Sequence, residues 1–231
     1  MKKDYEFSEG EVLLFNKPLH WTSFQLVNKV RWLIKRKLKV KKIKVGHAGT
    51  LDPLATGMMI LCTGKKTKEI DLYQAAEKEY VATIKLGATT PSYDGETAEN
   101  YFFATKHINE ELIKKALLNF LGAIEQFPPI FSAIKVGGKK LYESARKGEE
   151  VELKPRSITI KEIELLSINL PYVEFRVACS KGTYIRSLAF DLGKTLNSGA
   201  WLCKLVRTKI GAYDLKNAID IQEFEEMMKS S

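Results

Sequence analysis

Gly46-His47-Ala48-Gly49-Thr50-Leu51-Asp52-Pro53-Leu54-Ala55-Thr56-Gly57 places a single carboxylate among three glycines and a proline. Pro53 biases Asp52 away from helical backbone towards an extended one, and the glycines permit turns and close approach of a second molecule. The stretch therefore predicts a shaped loop that displays the Asp52 carboxylate. Asp-Pro and glycine also build ordinary surface turns. Composition alone leaves that plainer reading in place, and the surrounding chain has to decide.

Working outward, residues 11–16 (Glu-Val-Leu-Leu-Phe-Asn) read as a buried strand that stops at Lys17-Pro18, because proline cannot continue a ladder. Lys17, at a strand end, is expected to be solvated and is kept out of the site. Thr22-Ser23-Phe24-Gln25 has capping-box spacing, and Leu26, Val27, Val30, Leu33 and Ile34 follow at helical intervals. The helix runs into residues 35–44, which hold seven cations in ten positions directly before the Gly46 loop. A solvated face is the ordinary fate of such a run, but this many like charges repel one another unless an anion is present, which favours phosphate contact. On the other side of the loop, residues 58–62 read as a short buried strand. Gly64-Lys65-Lys66-Thr67 does not make a phosphate loop: six residues lie between Gly57 and Gly64 where four are needed, and Lys66 stands at the hydroxyl position.

Further along, 78–87 alternates like a half-buried strand starting at Tyr80, and a lone tyrosine there is best explained by core packing with its hydroxyl at the rim. A polar turn is expected at 89–100 and a helix at 109–121 capped by Asn109. The segment 127–142 mixes prolines, aromatics, paired glycines and lysines, and suggests an RNA-facing loop. Strands are expected at 151–153, 157–168 and 172–179, antiparallel because their joins are short. Helices are expected at 187–196 and 219–228. Arg186 falls at the strand-to-helix junction, where solvent exposure is ordinary and the macrodipole disfavours a cation. A residue that breaks a local rule is often functional.

The whole chain has 231 residues, enough to bury roughly 70–75% of its unfolded surface. Three scattered cysteines without CxxC spacing and three scattered histidines suggest neither disulfides nor a metal site. The amino-terminal residues lack an apolar signal core, and no apolar run reaches membrane-spanning length. A cytoplasmic location is expected. The formal net charge of +9 favours a polyanionic partner, nucleic acid first.

The order Gly-His-x-Gly-x-Leu-Asp-Pro-x-Ala-x-Gly across 46–57 resembles the signature of the TruB-like tRNA pseudouridine synthases. So does Ser180-Lys181-Gly182-Thr183-Tyr184-Ile185-Arg186, and the Pro-Pro-x-Phe-Ser-Ala-x-Lys stretch beginning at Pro128 is similar to that family's thumb. The resemblance covers nearly the whole chain. It implies an α+β pseudouridine synthase fold: a mixed, mostly antiparallel central sheet with flanking helices and an active-site cleft. It further implies one catalytic domain over 1–231 with a thumb-like insertion at about 127–150, and no carboxy-terminal PUA domain. Asp52 would be the nucleophile, with Arg186 as its charge partner and Tyr80 beside the base in a stacking and proton-transfer role. Tyr184 and Leu205 would border the base, and His47 would stack in the opened T loop or occupy the vacated space, although a lone histidine is commonly structural. Two positions depart from the pattern: Asn16 stands where aspartate is usual, and Val206 where arginine is common, which removes one backbone contact.

The resulting expectation is an isomerase that converts the T-loop uridine of tRNA, position 55, to pseudouridine by flipping the base. Asp52 would attack either C6 of the uracil or C1′ of the ribose. No metal or organic cofactor is implied, because the carboxylate supplies the nucleophile. The partner would be the T stem and loop of tRNA, the chain a monomer. A non-catalytic RNA-binding protein or tRNA chaperone is the alternative, using the 35–44 cations without Asp52 or Arg186. A nucleotide-dependent enzyme is disfavoured by the failed phosphate-loop spacing.

Overall fold

The computed structural model describes residues 5–132, 135–136, 139–140 and 153–229. In chain order the elements are β1 (Val12–Lys17), α1 (Ser23–Leu38), β2 (Val45–His47), β3 (Ala55–Thr63), α2 (Ile70–Ala75), β4 (Lys78–Leu86), β5 (Ala88–Thr89), β6 (Tyr101–Phe102), α3 (Glu110–Leu118) and β7 (Gly122–Gln126). There follow β8 (Lys135–Val136), β9 (Lys139–Lys140), β10 (Arg156–Asn169), β11 (Tyr172–Cys179), α4 (Ile185–Thr195), β12 (Ala200–Ile210), β13 (Tyr213–Asp214) and α5 (Ile221–Lys229). The strand expected at 151–153 and most of the thumb-like segment at 127–150 lie outside the described residues.

The chain divides into two compact units, Met1–Tyr80 with Leu205–Ser231, and Val81–Lys204. It crosses from one to the other inside strands, within β4 and within β12, so no composition shift marks either passage.

In the first unit β3 is the central strand and is buried on both faces. It pairs antiparallel with β1 (Val12↔Cys62 to Lys17↔Gly57) and β2, and parallel with β12 (Leu205↔Ala55 to Arg207↔Gly57). One face packs Met58, Ile60, Cys62 and Ile210 against Ile70, Tyr73 and Tyr213. Helix α1 starts where the spacing predicts: Thr22 is its N-cap, its hydroxyl accepts from the Gln25 amide at 3.1 Å, and the Gln25 side chain accepts from the Thr22 amide at 2.7 Å. Its buried stripe is Leu26, Val27, Val30, Leu33 and Ile34. Helix α5 adds Phe224, whose ring meets Phe15 of β1 edge-on at 5.2 Å.

The second unit contains the hydrogen-bonded order β4-β11-β10-β7. Strands β10 and β11 form an antiparallel ladder joined at Leu170-Pro171, and β7 pairs antiparallel with the start of β10. Ile84, Phe175 and Val177 from the strands and Leu188 and Leu192 from α4 are among its fully buried apolar side chains. Asn109 caps α3 as the sequence predicts, its Oδ1 accepting from the Leu112 amide at 2.9 Å. The α+β character and the mixed, mostly antiparallel pairing agree with the expected fold class.

Candidate active site

The Asp52 loop is fixed by bonds from α1, from the turn before it and from β12, all made within the first unit. Ser23, the first residue of α1, both accepts from the Leu51 amide (2.8 Å) and donates to the Leu51 carbonyl (2.9 Å), and both contacts are buried. The His20 amide donates to the Pro53 carbonyl at 2.8 Å. From β12, Arg207 donates through Nε to the Met58 carbonyl at 2.7 Å and through Nη2 to the Gly49 carbonyl at 3.1 Å. Arg207 is only 1% exposed. Its guanidinium thus supplies buried donors to one strand carbonyl and one loop carbonyl, tying the loop to β3 and β12.

Gly57 explains how that arginine gets in. Lys17 of β1, Gly57 of β3 and Arg207 of β12 lie side by side in one row across three strands. Gly57 has φ +106°, and a Cβ there would run into the Arg207 backbone carbonyl. Glycine is needed both for the backbone angle and for the close approach of β12.

Lys17 overturns its sequence reading. It is fully buried instead of solvated, with Nζ donating to the carbonyls of Pro18 (2.9 Å) and Trp21 (2.6 Å). Burial lowers its pKa to about 8; the Asp52 carboxylate opposes the fall and Arg207 adds to it. Between about 8 and its ordinary value of 10.5 the unfolded chain binds the proton that the folded chain has released, so stability rises with pH across that window. Urea unfolding at pH 7 and 9.5 should show this gain in wild type and its loss in Lys17→Met. An identical pH response in the variant would contradict the assignment. No feature of the sequence separates Lys17 from a solvated strand-end lysine except Pro18, which turns the chain back over it.

The other expected residues of this unit lie around the same strands. His47 ends β2 opposite Leu61 of β3 and is partly buried. Burial, and then the Arg207 charge, lower its pKa, which keeps the imidazole neutral at physiological pH. Leu205 pairs with Ala55, three residues beyond Asp52, and is 9% exposed. Tyr80 is equally buried and follows Glu79, which accepts from Thr208 (2.8 Å) and Lys209 (3.1 Å) of β12.

The second unit carries Tyr184 and Arg186. Tyr184 is the N-cap of α4, and its backbone is held by the Gln126 amide group, which accepts from its N–H at 2.8 Å and donates to its carbonyl at 3.0 Å. Arg186 lies in the first turn of α4 and is 5% exposed, so the solvent-exposed alternative is wrong. Its Nη1 lies 3.4 Å from Asp94 Oδ2 and donates to the Ser92 carbonyl at 3.3 Å. Asp94 is itself buried, its Oδ1 accepting from Ser92 Oγ (2.6 Å) and the Glu96 amide (3.0 Å). This carboxylate offsets the unfavourable position of a cation at a helix start. Sequence reasoning placed Asp94 in a polar turn and missed its part in holding Arg186.

Among the described residues no group of three or more His, Cys, Asp or Glu side chains could hold a metal ion, and no helix is long and apolar enough to cross a membrane. Residues 35–185 match the TruB family pseudouridylate synthase description for its N-terminal domain. The chain belongs to the TruB family. It is 59% identical over 222 residues to the tRNA pseudouridine synthase B of Phocaeicola vulgatus, covering 96% of this chain and 94% of the relative. With the protein of the same name from Flavobacterium johnsoniae the identity is 58% over 225 residues, covering 97% and 98%. Among solved structures, a chain of a Cbf5-Nop10-Gar1 complex superposes with a TM-score of 0.71 at 29% identity, covering 95% of this chain and 54% of that one. An H/ACA RNP bound to a substrate RNA containing 2′-deoxyuridine gives 0.68 at 27% identity, covering 95% and 53%. This TruB-family chain thus spans about half the length of those solved chains. The three stretches that carry the resemblance fall in or at the edge of the matched region, with only Arg186 one residue past it.

Proposed function

We propose that this chain is the isomerase that converts the T-loop uridine of tRNA, position 55, to pseudouridine, with Asp52 as its nucleophile. The observation that carries the proposal is the Asp52 loop itself, clamped by Ser23, His20 and Arg207 with Lys17 in electrostatic reach of the carboxylate. Such fixing costs the chain conformational freedom, and a plain surface turn has no use for it.

The uracil must first leave the folded T loop, at a cost of a few kcal/mol, offset by stacking of about 1–3 kcal/mol. On the strength of the resemblance motifs, Tyr80, Tyr184 and Leu205 are each proposed to border the flipped base, and His47 to support the opened loop. Asp52 attacks C6 of the uracil or C1′ of the ribose and the glycosidic bond breaks. After the base rotates, C5 bonds to C1′, the proton leaves C5 for solvent while N1, freed of its bond to the ribose, takes up one, and the carboxylate is regenerated. The overall change is an isomerisation, with no net gain or loss of electrons. Arg186 is proposed to balance the charge of Asp52, on the strength of the Ser-Lys-Gly-Thr-Tyr-Ile-Arg motif. We assign 1–231 to one catalytic domain that acts as a monomer, with 127–150 as its RNA-contacting thumb. The widely separated cysteines without CxxC spacing support a reducing, cytoplasmic setting.

Incubating the purified protein with an unmodified tRNA transcript and mapping pseudouridine by carbodiimide labelling tests this reading. A single new stop at the T-loop uridine is expected. Binding without any new stop would favour the RNA chaperone instead.

A further inference from the structure

The charge of this chain is not spread over it. Residues 23–44 contain nine Lys and Arg and no Asp or Glu, so the other 28 Lys and Arg are matched by 28 Asp and Glu and the formal +9 resides in this one segment. Among the nine, Lys29 pairs with Glu225 of α5 at 2.8 Å, and Arg31 donates to Asn28 and to the Val45 carbonyl, both at 2.8 Å. Cations in the last turn of α1 also favour its dipole, which accounts for Lys35, Arg36 and Lys37. It does not account for Lys39, Lys41, Lys42 and Lys44, which lie beyond the helix end and are exposed. Among the described residues no acidic side chain forms an ion pair with these four or with Arg36.

The face that carries them is anchored at both ends. Helix α1 is anchored by its buried stripe, and the chain after it is tied down where the Gly64 amide donates to the Lys44 carbonyl at 3.0 Å. On the same helix Trp32 is 49% exposed, with Lys29 Nζ 5.2 Å and the Arg36 guanidinium 5.4 Å from its ring. An exposed indole flanked by cations gains nothing from water but matches the ribose and base faces of a polyanion.

We propose that the outer face of α1 from Trp32 onward, with residues 39–44, docks the phosphate backbone of the substrate RNA. The docking is separate from the bonds that hold the reacting base and supplies most of the salt-sensitive affinity. This rests on the proposed function for the identity of the RNA, yet it can fail on its own. Each phosphate contact contributes about 0.7–0.9 to the slope of log K against log salt.

The test compares Lys39→Gln/Lys41→Gln/Lys42→Gln with a triple substitution of equal charge elsewhere, Lys106→Gln/Lys115→Gln/Lys161→Gln, all six positions being exposed. Filter binding to an unmodified tRNA transcript is measured from 50 to 300 mM salt in the Asp52→Asn background, so that turnover does not intervene. The 39/41/42 variant should lose about two units of salt slope and bind about 10- to 100-fold more weakly at physiological salt, with the control triple near wild type. Equal losses in both triples would reduce the effect to net charge and overturn the docking surface, as would an unchanged slope in the first. A reduced slope in the 39/41/42 variant, together with a wild-type chain that forms no pseudouridine on the same transcript, would sustain the surface while removing the proposed function.

Discussion

Asp52→Asn should lower pseudouridine formation by at least about 10⁴-fold while tRNA affinity stays within about threefold of wild type. Asparagine keeps the size of the side chain and leaves the Leu51 and Pro53 backbone clamps intact, so the loop should hold its shape. What disappears is the anion, and with it the covalent step on which the rearrangement depends. Single-turnover rates and filter binding on the same preparation separate the two quantities. A rate within tenfold of wild type would remove Asp52 from the role of nucleophile.

Arg207→Met should destabilise the protein by about 3 kcal/mol in urea unfolding, because methionine fills the volume but leaves the Met58 and Gly49 carbonyls without their donors, each at about 1–3 kcal/mol. Isomerisation should slow at the same time, since the Gly49 side of the loop loses its tie to β12. The same variant should move the Lys17 window: Arg207 helps to lower that pKa, so the rise of stability with pH should begin above about 8. A variant as stable as wild type, with Lys17 titrating where it did, would show that Arg207 is not what holds the loop.

The parts of the fold that the sequence reveals are those with local causes. The capping box at Thr22, the apolar stripe of α1 and the Asn109 cap are set by neighbours within a turn, and the structure has each at the residue expected. The glycine-rich loop was legible for the same reason. Strand β12 was not read as a strand, because Lys204, Arg207 and Lys209 interrupt its apolar pattern. Its alternation becomes visible only when Arg207 counts as an inward-facing residue. Lys17 and Asp94 escaped for different reasons: the Pro18 and Trp21 carbonyls that take up Lys17 are close in sequence but form no recognisable pattern, whereas the 91 residues between Asp94 and Arg186 leave no local mark. His47, Tyr80, Tyr184 and Leu205 entered through the order of residues in motifs, not through any pattern that periodicity could supply.

The most direct test of the central claim uses a tRNA transcript carrying tritium at C5 of the T-loop uridine alone. Rotation of the base places C5 in the glycosidic bond and expels its hydrogen, so the wild-type chain should release one equivalent of tritium per tRNA in a single turnover. The Asp52→Asn protein, bound to the same transcript, should release none. Tritium retained by the wild type, or released at comparable rates by both proteins, would contradict the account.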